Sequence, residues 1–210
     1  MKIKPGVNAK MFNIETVREK LQTDVDDAFE KAFNKVVMIE GGYVDNPFDP
    51  GGKTKYGITE AVARGAGYGG DIKNLPLETA KAIYEKEYWD KMMLDSIASL
   101  SFDVAYELFD TGVNVGIKNA VEWLQKSLNV LRRANSDKPY FIQLKVDGLV
   151  GVKTLKAFET IIIKRDVHYV LMLLNGFQIG YYASISTINT DFQEFIRGWI
   201  DNRVEFKPEQ

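Results

Sequence analysis

From Asn74 onward the apolar residues of this chain recur at intervals of three and four, and so long a run of that period must fold by packing helices. Asn74-Leu75-Pro76 opens one helix, carrying Ala80, Ile83, Tyr84 and Tyr88 inward with proline in its first turn. A second runs from about Ser101 to Thr111 and buries Val104, Ala105, Leu108 and Phe109; Val121, Leu124, Leu128 and Leu131 mark a third. After a turn at Val146-Asp147-Gly148-Leu149-Val150-Gly151, three helical segments fill residues 153 to about 204. Before Asn74 the pattern differs. A helix is expected from about Thr23, with Asp24, Asp26 and Asp27 at its positive end and an apolar stripe of Phe29, Phe33, Val36 and Val37. Gly41-Gly42 ends it, and a turn-rich loop to Gly52 follows, bracketed by two expected short strands, Tyr43-Val44 and Lys55-Tyr56-Gly57-Ile58.

Composition narrows the chemistry. The 210 residues hold no cysteine and one histidine, His168, so a cysteine peptidase has no nucleophile and a zinc amidase lacks its imidazoles. His168 lies in a run that reads as helix and is expected to be a packed, structural residue rather than a triad base. A formal net charge of -2 gives no field to recruit nucleic acid or an anionic membrane. The most apolar stretch, Ile161 to Tyr182, is broken by Lys164-Arg165-Asp166 and by Asn175-Gly176, so no membrane span is expected. What remains is carboxylate chemistry.

Glu40 follows Val37 by three residues and Val36 by four, so it continues the apolar stripe of its helix. Lost hydration and the negative helix end would both raise its pKa toward the range of a general acid. The alternative is a terminal Glu turned out to solvent, and periodicity does not choose between them. The loop after it offers Asp45, Asp49, Thr54 and Thr59 as partners; either aspartate could activate water or stabilise an oxocarbenium charge, or simply cap a turn. The loop is not a calcium-binding EF-hand, because Pro47 and Tyr56 stand where oxygen ligands are needed. Asp103, Glu107, Asp110 and Asn114 share one helical face, which is either a solvated face or a cleft lining with Asp110 and Asn114 nearest the sugar. Tyr43 and Tyr56 offer rings for sugar packing; Tyr84, Tyr88 and Trp89 fit that role or the core equally.

Glu40-Gly41-Gly42-Tyr43-Val44-Asp45-Asn46-Pro47, Asp49-Pro50-Gly51-Gly52-Lys53-Thr54 and Tyr56-Gly57-Ile58-Thr59 together resemble the signature of glycoside hydrolase family 108, N-acetylmuramidases related to phage endolysins. Some members of that family are named secretion activators. Ala82-Ile83-Tyr84, Tyr88-Trp89 and Asp110-Thr111-Gly112-Val113-Asn114-Val115-Gly116 continue the resemblance in order. The C-terminal half is similar to that family's predicted peptidoglycan-binding domain at Leu124-Gln125, at Asp147-Gly148 with Gly151 and Thr154, and at Gly198-Trp199 with Arg203. Val152 stands where proline is usual in that turn.

The resemblance implies a mainly α, lysozyme-like fold with a small β-hairpin and loop lobe, followed by an all-helical C-terminal half. The expected division is an N-terminal arm over 1–22, a catalytic domain over 23–117 and a helical predicted peptidoglycan-binding domain over 118–210. It implies cleavage of the β-1,4 bond between N-acetylmuramic acid and N-acetylglucosamine, with Glu40 as acid. Asp49, with Thr54, would orient water or stabilise charge, and Gly42, Tyr43, Asp45, Tyr56, Thr59, Asp110 and Asn114 would contact substrate. The nine-residue interval from Glu40 to Asp49 is similar to that of phage-type lysozymes, where inversion proceeds through a held water; Thr54 comes one residue early. No metal or organic cofactor is implied, and the partner is the glycan strand of peptidoglycan. Met1-Lys2-Ile3-Lys4-Pro5-Gly6 lacks the apolar core of a signal peptide, so action in the periplasm or wall would call for a holin or an accessory exporter.

Overall fold

The computed structural model describes residues 28–37, 42–44, 52–133 and 138–204. It is mainly helical with one small antiparallel sheet, as a lysozyme-like chain should be. Helix α1 (residues 28–37) buries Ala28, Phe29, Ala32, Phe33 and Val36, the expected stripe, while Val37 is half-buried. Its aromatic rings enter a cluster centred on Phe109: Phe29 lies 6.0 Å from that ring, and Phe33 meets Tyr84 at 5.6 Å.

The sheet joins β1 (Tyr43–Val44), β2 (Thr54–Lys55) and β3 (Ile58–Thr59) in sequence order. Here the structure corrects the expected second strand. Lys55 pairs with Ile58 across a two-residue turn, so Tyr56-Gly57 is the hairpin's tip rather than part of one strand. Both tip residues have positive φ, 53° and 74°, the geometry of a type I′ turn whose twist matches that of the strands. Glycine adopts it freely; Tyr56 does so at a cost of roughly 1–2 kcal/mol. The Tyr84 hydroxyl donates to the Tyr56 carbonyl at 2.8 Å and holds the turn from below.

Thr59 caps α2 (Glu60–Gly65), and α3 (Leu77–Tyr84) follows Pro76. The sequence reads on as helix to Tyr88, but after Tyr84 the backbone widens into a π-turn over Glu85–Trp89. Tyr84 and Trp89 are five residues apart, about 140° around a regular α-helix. Hydrogen bonds from i to i+5 bring them toward one side. Both rings then reach Phe109, at 5.9 and 5.4 Å. Both are 1% exposed.

After α4 (Leu94–Ala98), α5 (Phe102–Val115) forms the central helix, started by the Ser101 hydroxyl and ended by Gly116 at φ 91°. The expected residues Val104, Ala105, Leu108 and Phe109 are all buried. Helices α6 (Ile117–Leu131), α7 (Val152–Ile163), α8 (Val167–Ile188) and α9 (Ile196–Arg203) make the C-terminal half. Helix α8 packs on both α5 and α6. Among the described residues no helix is long and apolar enough to cross a membrane. His168 sits in α8 as helix, but it is exposed rather than packed, because it lies with Tyr169 on the outer side of a first turn whose inner side is Val170.

The described residues between α6 and α7 form no helix or strand, and two side-chain amides of α6 hold them. Asn129 donates to the Leu144 carbonyl at 2.9 Å and accepts from the Leu144 N–H at 2.8 Å. Gln125 does the same one turn earlier, accepting from the Asp147 and Gly148 N–H groups and donating to Leu149 O and Asp147 Oδ1. Hydrogen bonds from Gln125 and from the Leu149 N–H hold the Asp147 carboxyl below the usual carboxylate range. Gly148 has φ 73°, and a Cβ there would lie 2.8 Å from Lys118 Cγ, so glycine is required. Gln125→Ala would leave the buried Gly148 N–H unpaired and should cost about 2–4 kcal/mol. A denaturant melt measures this, and an unchanged midpoint would show that the loop holds itself.

Candidate functional site

Pairing of Thr54 with Thr59, and of Val44 with Thr54, puts these three side chains on one face of the sheet. The opposite face carries Tyr43, Lys55 and Ile58, and Ile58 is 2% exposed, so that face meets the core. The threonine face is therefore the open one. Thr54 is half-buried there. Thr59 is less free to bind: its hydroxyl accepts the Val62 N–H at 3.2 Å as the cap of α2. Tyr43 and Tyr56 are half-buried at the edges of the hairpin, with Lys73 Nζ 5.9 Å from the first ring and Lys55 Nζ 5.2 Å from the second. Gly42 is exposed before β1. Glu40, Asp45 and Asp49 lie outside the described residues.

The structure thus places Tyr43, Thr54, Tyr56 and Thr59 in one small sheet, with Thr54 and Thr59 on its open face, Tyr43 on the opposite face and Tyr56 at the hairpin tip. It places Asp110 and Asn114 elsewhere, on α5. Asp110 is 2% exposed, and its Oδ1 accepts Arg203 Nη1 at 2.7 Å. Gln178 Nε2 approaches the other carboxylate oxygen at 3.4 Å. With the Asn114 amide turned so that its oxygen meets the guanidinium, Arg203 Nε donates to it at 2.8 Å. The oxygens of Asp110 thus face α8 and α9. The stripe is not a solvated face, since only Asp103 is exposed while Glu107 is 5% exposed. A buried carboxylate needs a cation and hydrogen bonds, and α9 supplies the cation from the far end of the chain.

Tyr182 belongs to the same interior. Burial pushes its hydroxyl well above the usual tyrosine range; the Arg203 cation opposes that shift, and the Asp110 and Glu107 carboxylates reinforce it. This polar layer between α5, α8 and α9 was hidden in the sequence. Arg203 stands 93 residues from Asp110, and helical spacing relates only near neighbours. Tyr84 and Trp89, offered either as sugar platforms or as core, are core.

Comparison with known proteins agrees with this architecture. Residues 33–116 match the model of Glycosyl hydrolase 108, and residues 119–204 match that of the Predicted Peptidoglycan domain. The structure is similar to that of Brucella abortus SagA, with a TM-score of 0.63 and 26% sequence identity over 88% of this chain and 98% of that one. No curated protein sequence matches the chain significantly. The chain therefore carries a segment similar to the glycosyl hydrolase 108 family followed by one similar to a predicted peptidoglycan domain, a pairing that supports a hydrolase or binder of cell-wall peptidoglycan.

Proposed function

We propose that the chain is an N-acetylmuramidase that hydrolyses the β-1,4 bond from N-acetylmuramic acid to N-acetylglucosamine. Glu40 protonates the leaving oxygen, and Asp49 holds the attacking water or stabilises the positive charge that develops on the sugar ring. Thr54 hydrogen-bonds that water from the open face of the hairpin. Gly42, Tyr43, Asp45 and Tyr56 contact the sugars around it, and the reaction takes place in the periplasm or wall, where the substrate lies. The observation that carries this reading is the match of residues 33–116 to the hydrolase family, a segment that contains Glu40 and the whole hairpin. The open threonine face and the buried stripe of α1 leading toward Glu40 support it.

Digestion of purified peptidoglycan, followed by borohydride reduction and mass analysis, tests it. A muramidase leaves reduced N-acetylmuramic acid at every new end; reduced N-acetylglucosamine, or freed peptides, would overturn the assignment. The match of residues 119–204 to a peptidoglycan domain favours a second reading, a wall binder or secretion helper without catalysis. Retention on insoluble walls with no new reducing ends would establish that reading instead.

A further inference from the structure

The loop pinned by Gln125 and Asn129 and the first turns of α7 border an open cavity of about 670 Å³ in the C-terminal half. Its wall is apolar at Ile142, Leu149 and Val152, which are 89%, 71% and 67% exposed, an unusual display of aliphatic surface. Its charge is one-sided. Lys145, Lys153 and Lys156 line it, all exposed and without a salt bridge among the described residues, while its one carboxylate, Asp147, is bonded to Gln125 and the Leu149 N–H and feels the Lys145 charge.

Two further features point to an anion. Helix α7 begins at this wall with no side chain capping it, so the N–H groups of Val152, Lys153 and Thr154 are unpaired at the helix's positive end. Thr154 lines the cavity too. The residue is 4% exposed, and among the described residues its hydroxyl has no hydrogen-bond partner.

We propose that this cavity is a binding site for the peptide stem of peptidoglycan, distinct from the hairpin. The lysines, the α7 N–H groups and the Thr154 hydroxyl take the stem's free carboxylates, and Ile142, Leu149 and Val152 take its alanine methyls. The proposal rests on peptidoglycan being the substrate, and it assigns recognition to the peptide rather than to the glycan.

Proton–nitrogen NMR of the full chain tests it, titrated with a disaccharide tetrapeptide from peptidoglycan and, separately, with the same disaccharide lacking its peptide. The peptide-bearing probe should bind saturably and shift the amides of Val152, Lys153 and Thr154, and the bare disaccharide should leave them still. The double variant Lys153→Glu, Lys156→Glu should bind the stem about tenfold more weakly; both positions are exposed, so the fold is kept. Equal shifts from the bare disaccharide, or unchanged affinity in the double variant, would overturn the proposal. Concentration-dependent broadening at these amides without any probe would also overturn it, by assigning the cavity to a second copy of the chain. Reducing-end release by the same samples keeps the two readings apart. A chain that binds the stem but frees no reducing ends keeps this site and loses the hydrolase assignment; one that frees them with no stem-dependent shift does the reverse.

Discussion

Glu40→Gln should abolish the clearing of purified cell walls, with reducing-end release falling by about a hundredfold to ten-thousandfold, the usual contribution of a positioned general acid. The amide keeps the size of the carboxyl but cannot give up a proton to the leaving oxygen. Stability should hold or rise slightly, because a neutral amide at the end of an apolar stripe loses less hydration than a carboxylate. The pH profile of the native chain supplies a second check. A general acid works only while protonated, so the rate should fall as pH rises through its pKa; if Glu40 continues the apolar stripe, as its spacing allows, that fall comes above the ordinary glutamate range. Undiminished clearing by the Gln variant would remove Glu40 from the chemistry.

Arg203→Met and Asp110→Leu should each destabilise the chain by about 3–5 kcal/mol, since either leaves an opposite charge buried and unpaired. In a chain of this size that lowers the melting midpoint by on the order of 10 °C. The double variant should regain much of the loss, because an apolar pair carries no desolvation penalty; Asn114 would still miss its guanidinium partner. Calorimetry on the four chains measures the coupling. Strictly additive losses would mean that Asp110 and Arg203 act independently, each on its own neighbours.

The helical frame was legible because period governs burial. The stripe of α1 and the four named core residues of α5 fall where the spacing puts them. The π-turn after Tyr84 was not legible, because it arises from the need to present two large rings to Phe109, a demand made by a partner distant in the chain. The hairpin tip was misread for a related reason: Lys55-Tyr56-Gly57-Ile58 has strand-forming residues, and the left-handed conformation of Tyr56 depends on support from Tyr84. The stripe that holds Asp110 reads either as a cleft lining or as a solvated face, because its cation, in α9, is too distant in the chain for spacing to reveal. Gln125 is visible as part of a motif, but Asn129 is not, and together they order the loop that bounds the C-terminal cavity.

Tyr84 has its ring in the aromatic core and its hydroxyl on the carbonyl of the hairpin tip. Many enzymes carry their substrate-facing lobes on segments that soften well below the temperature at which the body of the protein melts. Here the lobe is moored to the interior by the Tyr84 phenol and by the buried Ile58 side chain, and so it shares the rigidity of that interior. Heating should then leave no interval in which the body is intact and the hairpin loose: the two would give way together, and catalytic failure would coincide with melting rather than precede it.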